Sequence, residues 1–339
     1  MSDKISLYGL GGSGKSCYIF AMSQALSQGV PFSDGEMLTV MTPDPRQMLR
    51  LYKAYEKMTQ GYWPAGNVES VDYTFDIRKP LDLLMTLDIT DYRGGLLDSI
   101  DEDDQEEQEE LLQSYQDSSV LLFFIGADKV KAAMHGDMGA RFNIQYLNTL
   151  YGSYLGSSYD AKKTPVMVVL TKSDMLSNSE INSALAFLKD QMRMMFGAGT
   201  GITSGITAVT LGANLTNEGG ELEGQLNIKP TAGNLNIPIL FSLFHVMAQK
   251  IENTIGTIQG NESALSSANR DLARELSRSA FSRFFVNNES SIKSRINSQT
   301  TAIGENKELL LKLNSTMAGI KEYLLKGSEL YINGKRILQ

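Results

Sequence analysis

Apolar residues fall in short dense blocks, separated by longer stretches in which they recur every three or four positions. Residues 5–8 (ISLY), 83–89 (LLMTLDI), 120–127 (VLLFFIGA) and 164–170 (TPVMVVL) form the densest blocks. A run of this length without a continuous polar face predicts a strand covered on both sides, as in a parallel sheet with helices on each face. Residues 36–42 (EMLTVMT) and 206–211 (ITAVTL) read as further strands, and residues 71–77 (VDYTFDI) alternate like an exposed one. Helical spacing fills residues 17–26, 47–58, the stretch from about 127 to 154, 179–196 and 237–247. Loops are expected at 61–67 (GYWPAGN), at 197–205, and across the Gly/Asn-rich residues 214–236, read as a surface insertion. Met192, Met194 and Met195 read as core filling, a use to which the pliable thioether is suited. Strands alternating with helices over residues 1–247 predict an α/β domain, a doubly wound and mostly parallel sheet.

Beyond residue 247 the pattern changes. Ile251, Ile255, Ile258, Leu265, Leu272 and Leu276 keep a 4-3 spacing, as do Ile292, Ile296, Ile303, Leu310, Leu313, Met317, Ile320 and Leu324. Sustained heptads predict coiled-coil helices, here an antiparallel helical appendage over residues 248–326 with a turn near residues 284–291. Helices of ~40 residues would reach ~60 Å. Polar seam positions and Gly256, Gly260, Gly304 and Gly319 weaken the pair, so it is expected to pack on the sheet domain, a second copy or a partner. Residues 327–339 hold ELYINGKRIL, a β-hairpin reading with Asn333-Gly334 at the turn. A lone hairpin is marginal in water, so docking on a sheet or a partner is expected.

The chemistry concentrates at strand ends. Residues 9–16 (GLGGSGKS) spell G-x-x-x-x-G-K-S between a predicted strand and a predicted helix. Such a loop turns sharply, so that successive backbone N–H groups converge on a phosphate beside the positive end of the helix. Gly9, Gly11, Gly12, Ser13, Gly14, Lys15, Ser16 and Cys17 are the candidate phosphate-binding residues; Lys15 would reach the β- and γ-phosphates and Ser16 would ligate magnesium.

The strand 83–89 runs into Asp91-Tyr92-Arg93-Gly94, a D-x-x-G at the carboxyl end of a strand, where open α/β sheets bind ligands. Asp91 there would help hold magnesium, and the Gly94 N–H would report whether a γ-phosphate is present. Asp88 is the other carboxylate in range, read as structural, and Arg93 is either a charge for the γ-phosphate or a surface residue. The strand 164–170 runs into Thr171-Lys172-Ser173-Asp174. A carboxylate at that place can accept from the N1–H and the exocyclic amine of guanine, a donor pair adenine lacks, while the Lys172 stem lies along the base plane. Thr210 and Leu211 end a later strand, where a backbone contact to the base is expected.

Composition narrows the classes. The chain has 339 residues and a net charge of −8, which gives no general attraction for nucleic acid. From Lys250 onward the balance is +4, leaving −12 for the rest. Much of that excess is the run 98–110, nine acids in thirteen residues: a solvated helix face, or a partner surface following the Asp91 loop. Cys17 is the only cysteine, which excludes an internal disulfide and suits a reducing compartment. The longest apolar run, residues 120–126, is far too short to cross a bilayer, and no secretory leader is read before Ile5. A soluble cytoplasmic protein is expected, without a membrane role. His135 and His245 stand 110 residues apart, outside any ligand pattern.

GLGGSGKS, DYRG and TKSD, in this order and spacing, resemble the phosphate-loop GTPases of the Ras and translation-factor class. GYWPAGN, a strand, and then LDITDYRGG are similar to bacterial proteins grouped as double-GTPase domains. The resemblance covers about residues 1–247. It implies GTP or GDP as ligand, magnesium on Ser16 and Asp91, and loops that differ between nucleotide states. Lys15, Asp91, Arg93 and Gly94 become the candidate catalytic set, and Thr171, Lys172, Asp174, Thr210 and Leu211 the base site. The chain departs from the pattern in three places. Thr171 stands where Asn is usual, and Gly95 where a Gln would orient water. No first-switch threonine is evident, with Asn67, Thr42 and Thr74 the positions to look at. The expectation is a GTP-binding switch with slow or partner-stimulated hydrolysis, meeting a protein partner through its switch loops and C-terminal helices, with a homo-oligomer possible. The alternatives are a non-hydrolysing nucleotide-bound scaffold, a dynamin-like membrane GTPase and an ATPase.

Overall fold

The computed structural model describes residues 3–66, 69–80, 82–93, 105–157, 164–218, 221–226, 229, 231–262 and 304–337. Five parallel strands form the middle of a ten-stranded sheet: β1 (Asp3–Tyr8), β5 (Asp82–Asp91), β6 (Val120–Gly126), β7 (Val166–Thr171) and β8 (Thr203–Ala208). Outside β5 lie three antiparallel strands, β4 (Val71–Lys79), β3 (Met37–Met41) and the two-residue β2 (Val30–Pro31). Outside β8 lie β11 (Glu329–Ile332) and β12 (Lys335–Arg336), also antiparallel. The strand order is β12-β11-β8-β7-β6-β1-β5-β4-β3-β2. A separate two-stranded sheet is made by β9 (Gly212–Glu218) and β10 (Glu221–Leu226).

The apolar blocks sort by parity, because successive side chains of a strand point to opposite faces. Val120, Leu122 and Phe124 of β6 enter one core, and Leu121, Phe123 and Ile125 the other. The first core holds α1 (Lys15–Leu26), the inner side of α2 (Pro45–Thr59), α8 (Ile237–Glu262) and α9 (Gly304–Gly327). The second takes α3 (Gln105–Asp117), α4 (Ala127–Met134), α5 (Met138–Ser157), α6 (Asn178–Gln191) and the short α7 (Arg193–Phe196). Tyr8 stacks on Tyr92 in that second core, their ring centroids 4.9 Å apart.

The end of the chain is built into this body. Leu310, Leu313, Met317, Ile320 and Leu324 of α9 are buried in the first core. The helix packs antiparallel to α8, its Gly327 against Ile237. Lys312 pairs with Asp82 at 2.7 Å, and the Tyr323 hydroxyl donates to the Pro31 carbonyl. Docking of the terminal hairpin is seen directly, since β11 pairs with β8 and the Lys189–Glu329 ion pair closes at 2.6 Å beside it. Residues 263–303, with the expected turn, six of the heptad positions and Arg270, Arg274 and Arg278, lie outside the described residues.

Several boundaries differ from the expectations. β4 is an inner strand, not an exposed one: Tyr73, Phe75 and Ile77 are buried. Its polar side is satisfied by neighbours, with Thr90 donating to Asp72 at 2.6 Å and Thr86 to Asp76 at 2.9 Å. The helical stretch after β6 breaks at Gly136, which has φ 100°. The helix expected over 179–196 breaks at Met192, and Met194 is exposed rather than core. β8 starts at Thr203, inside the expected loop, with Ser204 fully buried. The expected surface insertion contains the β9–β10 hairpin.

Candidate functional site

The loop between β1 and α1 supplies the first wall. Gly14 caps α1 at φ 86°, a left-handed conformation that glycine adopts without strain. A Cβ on Gly9 would sit 2.3 Å from the Phe124 carbonyl oxygen, so the loop leaves β1 pressed against β6. Lys15 is buried and donates from Nζ to the Gly9 carbonyl at 2.9 Å, which ties the two ends of the loop together.

The second wall comes from β5. Asp91 is fully buried and accepts from the Ser16 hydroxyl at 2.6 Å. A hydroxyl and a carboxylate thus stand side by side where a hard cation would find two oxygen ligands. Asp88 accepts from Thr74 at 2.8 Å within the β4–β5 pair. Arg93 is not among the residues lining the cavity, and Gly94, with Asn67, lies outside the described residues.

At the end of β7, the Thr171 hydroxyl donates to the Ser13 carbonyl at 2.6 Å and joins the third loop to the phosphate loop. Lys172, at φ 54°, sends its Nζ to Asp128 Oδ2 at 3.0 Å. Asp174 accepts from the Thr210 hydroxyl at 3.1 Å and from the Leu215 N–H at 3.2 Å.

These elements enclose a cavity of about 490 Å³ at the carboxyl ends of the parallel strands. Of the residues singled out from the sequence, Gly11, Gly12, Ser13, Gly14, Lys15, Ser16, Cys17, Asp91, Thr171, Lys172, Asp174 and Leu211 line it. Gly9 and Thr210 stand behind it, one accepting from Lys15 and the other holding Asp174. Trp63, Pro64, Ala65 and Gly66, from the loop before β4, also line it. Sequence reasoning missed Tyr18, Tyr92, Asp128, Met175, Val209 and Leu215. Asp128 carried one usable signal, an acid just past a buried strand at the ligand-binding end of the sheet.

Burial pushes the Cys17 thiol up to about 11, despite the opposing pull of Lys172. It stays protonated at neutral pH and is no nucleophile. His245 is buried away from the cavity, its pKa lowered to about 3 by desolvation. Among the described residues there is no cluster of three His, Cys, Asp or Glu able to hold a metal, and no helix long and apolar enough to cross a membrane.

No protein-family model matches the chain, and no curated protein matches it. Solved structures that it resembles include a bacterial selenocysteine-specific elongation factor, at 14% identity and a TM-score of 0.31 over 62% of this chain. The chain spans 26% of that protein's length. The SRb-GTP/SRX complex of the signal recognition particle receptor from Chaetomium thermophilum gives 13% identity and a TM-score of 0.36, covering 62% of this chain and 91% of that one. A septin GTPase domain from Chlamydomonas reinhardtii gives 15% and 0.30, covering 58% and 61%. The functional reading therefore rests on the geometry of the cavity.

Proposed function

We propose that the cavity binds a guanine nucleotide together with magnesium, and that the chain acts as a nucleotide-dependent switch. The observation that carries this is the joint lining of one cavity by Lys15 and Ser16 at one place and Asp174 at another. A phosphate cradle and a carboxylate reader on separate strand ends suit the two ends of one nucleotide. Ser16 Oγ and Asp91 Oδ2, 2.6 Å apart, fit the oxygen preference of magnesium, which keeps several waters and takes one or two protein ligands beside substrate phosphates. Magnesium, when bound, would neutralise charge on the β- and γ-phosphates.

The chain's own contribution is positioning and electrostatics. Lys15 would leave the Gly9 carbonyl for the phosphates, and the loop N–H groups would hold the oxygens in place. Gly95 offers no side chain to orient water and Arg93 does not line the cavity, which favours slow or partner-stimulated hydrolysis. The loop carrying Trp63–Gly66 and the segment after Asp91 are where a protein partner would sense the γ-phosphate. A nucleotide-bound scaffold is the second reading, favoured by the same glycine at position 95. Competition of GTP against ATP, followed by single-turnover phosphate release, tests both. Preference for GTP with release above background supports the switch. Tight GTP binding without release moves the account to the scaffold, and equal competition by ATP refutes the guanine reading.

A further inference from the structure

The reader of the base is itself held by an element that lies outside the ten-stranded sheet. The Thr210 hydroxyl, whose single proton is shared with the nearer Gly212 carbonyl, reaches Asp174 Oδ1, and the Leu215 N–H donates to Oδ2. An ionised carboxylate offers about two acceptor sites per oxygen, so each oxygen keeps one. What remains is acceptor capacity on both oxygens of one carboxylate. A purine edge with two adjacent N–H donors fits it, and an edge that sets a donor beside an acceptor does not.

The Leu215 N–H is available because the β9–β10 ladder is broken there. Glu223 faces Thr216 and Gln225 faces Ala213, so Asn214 and Leu215 together oppose the single residue Gly224. Asn214 has φ 54° and Gly224 φ 91°, the left-handed backbone that lets the extra residue in. A bulge of this kind leaves a residue unpaired and re-aims it. Here it turns the Leu215 N–H onto Asp174, and Leu215 lines the cavity with Leu211 and Met175. The hairpin pairs with no other strand among the described residues; β9 packs on the Ser173–Met175 turn and β10 on α2.

We propose that this bulged hairpin is the purine-selecting element of the site, holding the Asp174 carboxylate for guanine's two donors and covering the base with Leu215. The proposal rests on the guanine reading above. Two variants test it. In one, residues 213–225 are replaced by Gly-Ser-Gly, a short link because Gly212 and Leu226 are already paired. In the other, Asn214 alone is deleted, which removes the bulge and returns the Leu215 N–H to the ladder. Each is titrated with GDP, ADP and pyrophosphate in magnesium. GDP affinity should fall about tenfold or more, the scale of one lost charge-assisted contact, and by more than ADP affinity does, while pyrophosphate affinity stays within about twofold. Unchanged pyrophosphate binding reports an intact phosphate loop, and if the excision does not fold, the single deletion decides. A GDP-over-ADP preference equal to the parent's in the folded variants overturns the proposal. No such preference in the parent overturns the guanine reading, and the proposal with it.

Discussion

Thr171 is the stitch between the Thr171–Asp174 loop and the Gly9–Ser16 loop, and replacing it by valine removes the stitch while keeping the outline of the side chain. Thr171 is buried, and its hydroxyl donates to the Ser13 carbonyl at 2.6 Å, with a longer contact to the Ile125 carbonyl at 3.3 Å. Taking the donor from a buried acceptor costs about 1–3 kcal/mol. With a urea slope near 3 kcal/mol/M for a chain of this size, the midpoint should fall by about 0.3–1 M. Thr171→Ser keeps the donor and loses one methyl, about 0.8 kcal/mol, so it controls for packing. In nucleotide titrations, Thr171→Val should lose about tenfold in GDP affinity, equal to about 1.4 kcal/mol of loop positioning. Thr171→Ser should stay within about threefold of the parent. Equal GDP affinity for the Val and Ser variants would refute the reasoning, because the hydroxyl would then do nothing for the loop.

Other consequences follow from packing and charge. A Cβ on Gly319 would meet the Phe32 ring at 2.8–3.0 Å, so Gly319→Val should destabilise by about 1–3 kcal/mol in thermal melts, and adding Phe32→Leu should recover part of it. No effect would mean that α9 does not pack on the body. Burial lowers the folded pKa of His245 to about 3 from 6.5. Below pH 6.5 the unfolded chain therefore binds a proton that the folded chain refuses, and stability drops as pH falls. Between pH 8 and pH 5 this one group removes about 2 kcal/mol, and urea unfolding of His245→Gln should show a pH loss smaller by that amount. Asp128→Ala frees the Lys172 ammonium; since both side chains are more than a third exposed, the loss of GDP affinity should stay within about fivefold, about 1 kcal/mol.

The parts of the fold that the sequence announces are those whose signal is local. The block 120–126 is apolar on both parities and becomes a strand buried on both faces. GLGGSGKS turns where glycine must turn, and Asp91, Thr171 and Asp174 fall at strand ends because the apolar runs stop just before them. What escapes is set by partners distant in the chain. Leu310 to Leu324 keep a heptad stripe, but spacing says only that one face is covered, and here Phe32 and α8 lie over it. Asp72 and Asp76 suggest a wet strand until Thr90 and Thr86 are seen beside them. Residues 212–226 carry too many Gly and Asn to show a strand period, and the bulge that makes Leu215 useful also breaks the alternation that would have revealed it.

The central claim is that one cavity holds a phosphate cradle and a guanine reader, with Asp174 choosing the purine. Calorimetric titration of the parent and of Asp174→Asn, each with GDP and XDP in magnesium, tests it most directly. Asparagine presents a donor where the carboxylate presented an acceptor, and xanthine carries a carbonyl where guanine carries its amine. The account predicts that the parent takes GDP over XDP and that Asp174→Asn reverses the order by about tenfold or more. Parent protein that binds neither nucleotide, or a variant whose preference is the parent's own, would contradict it.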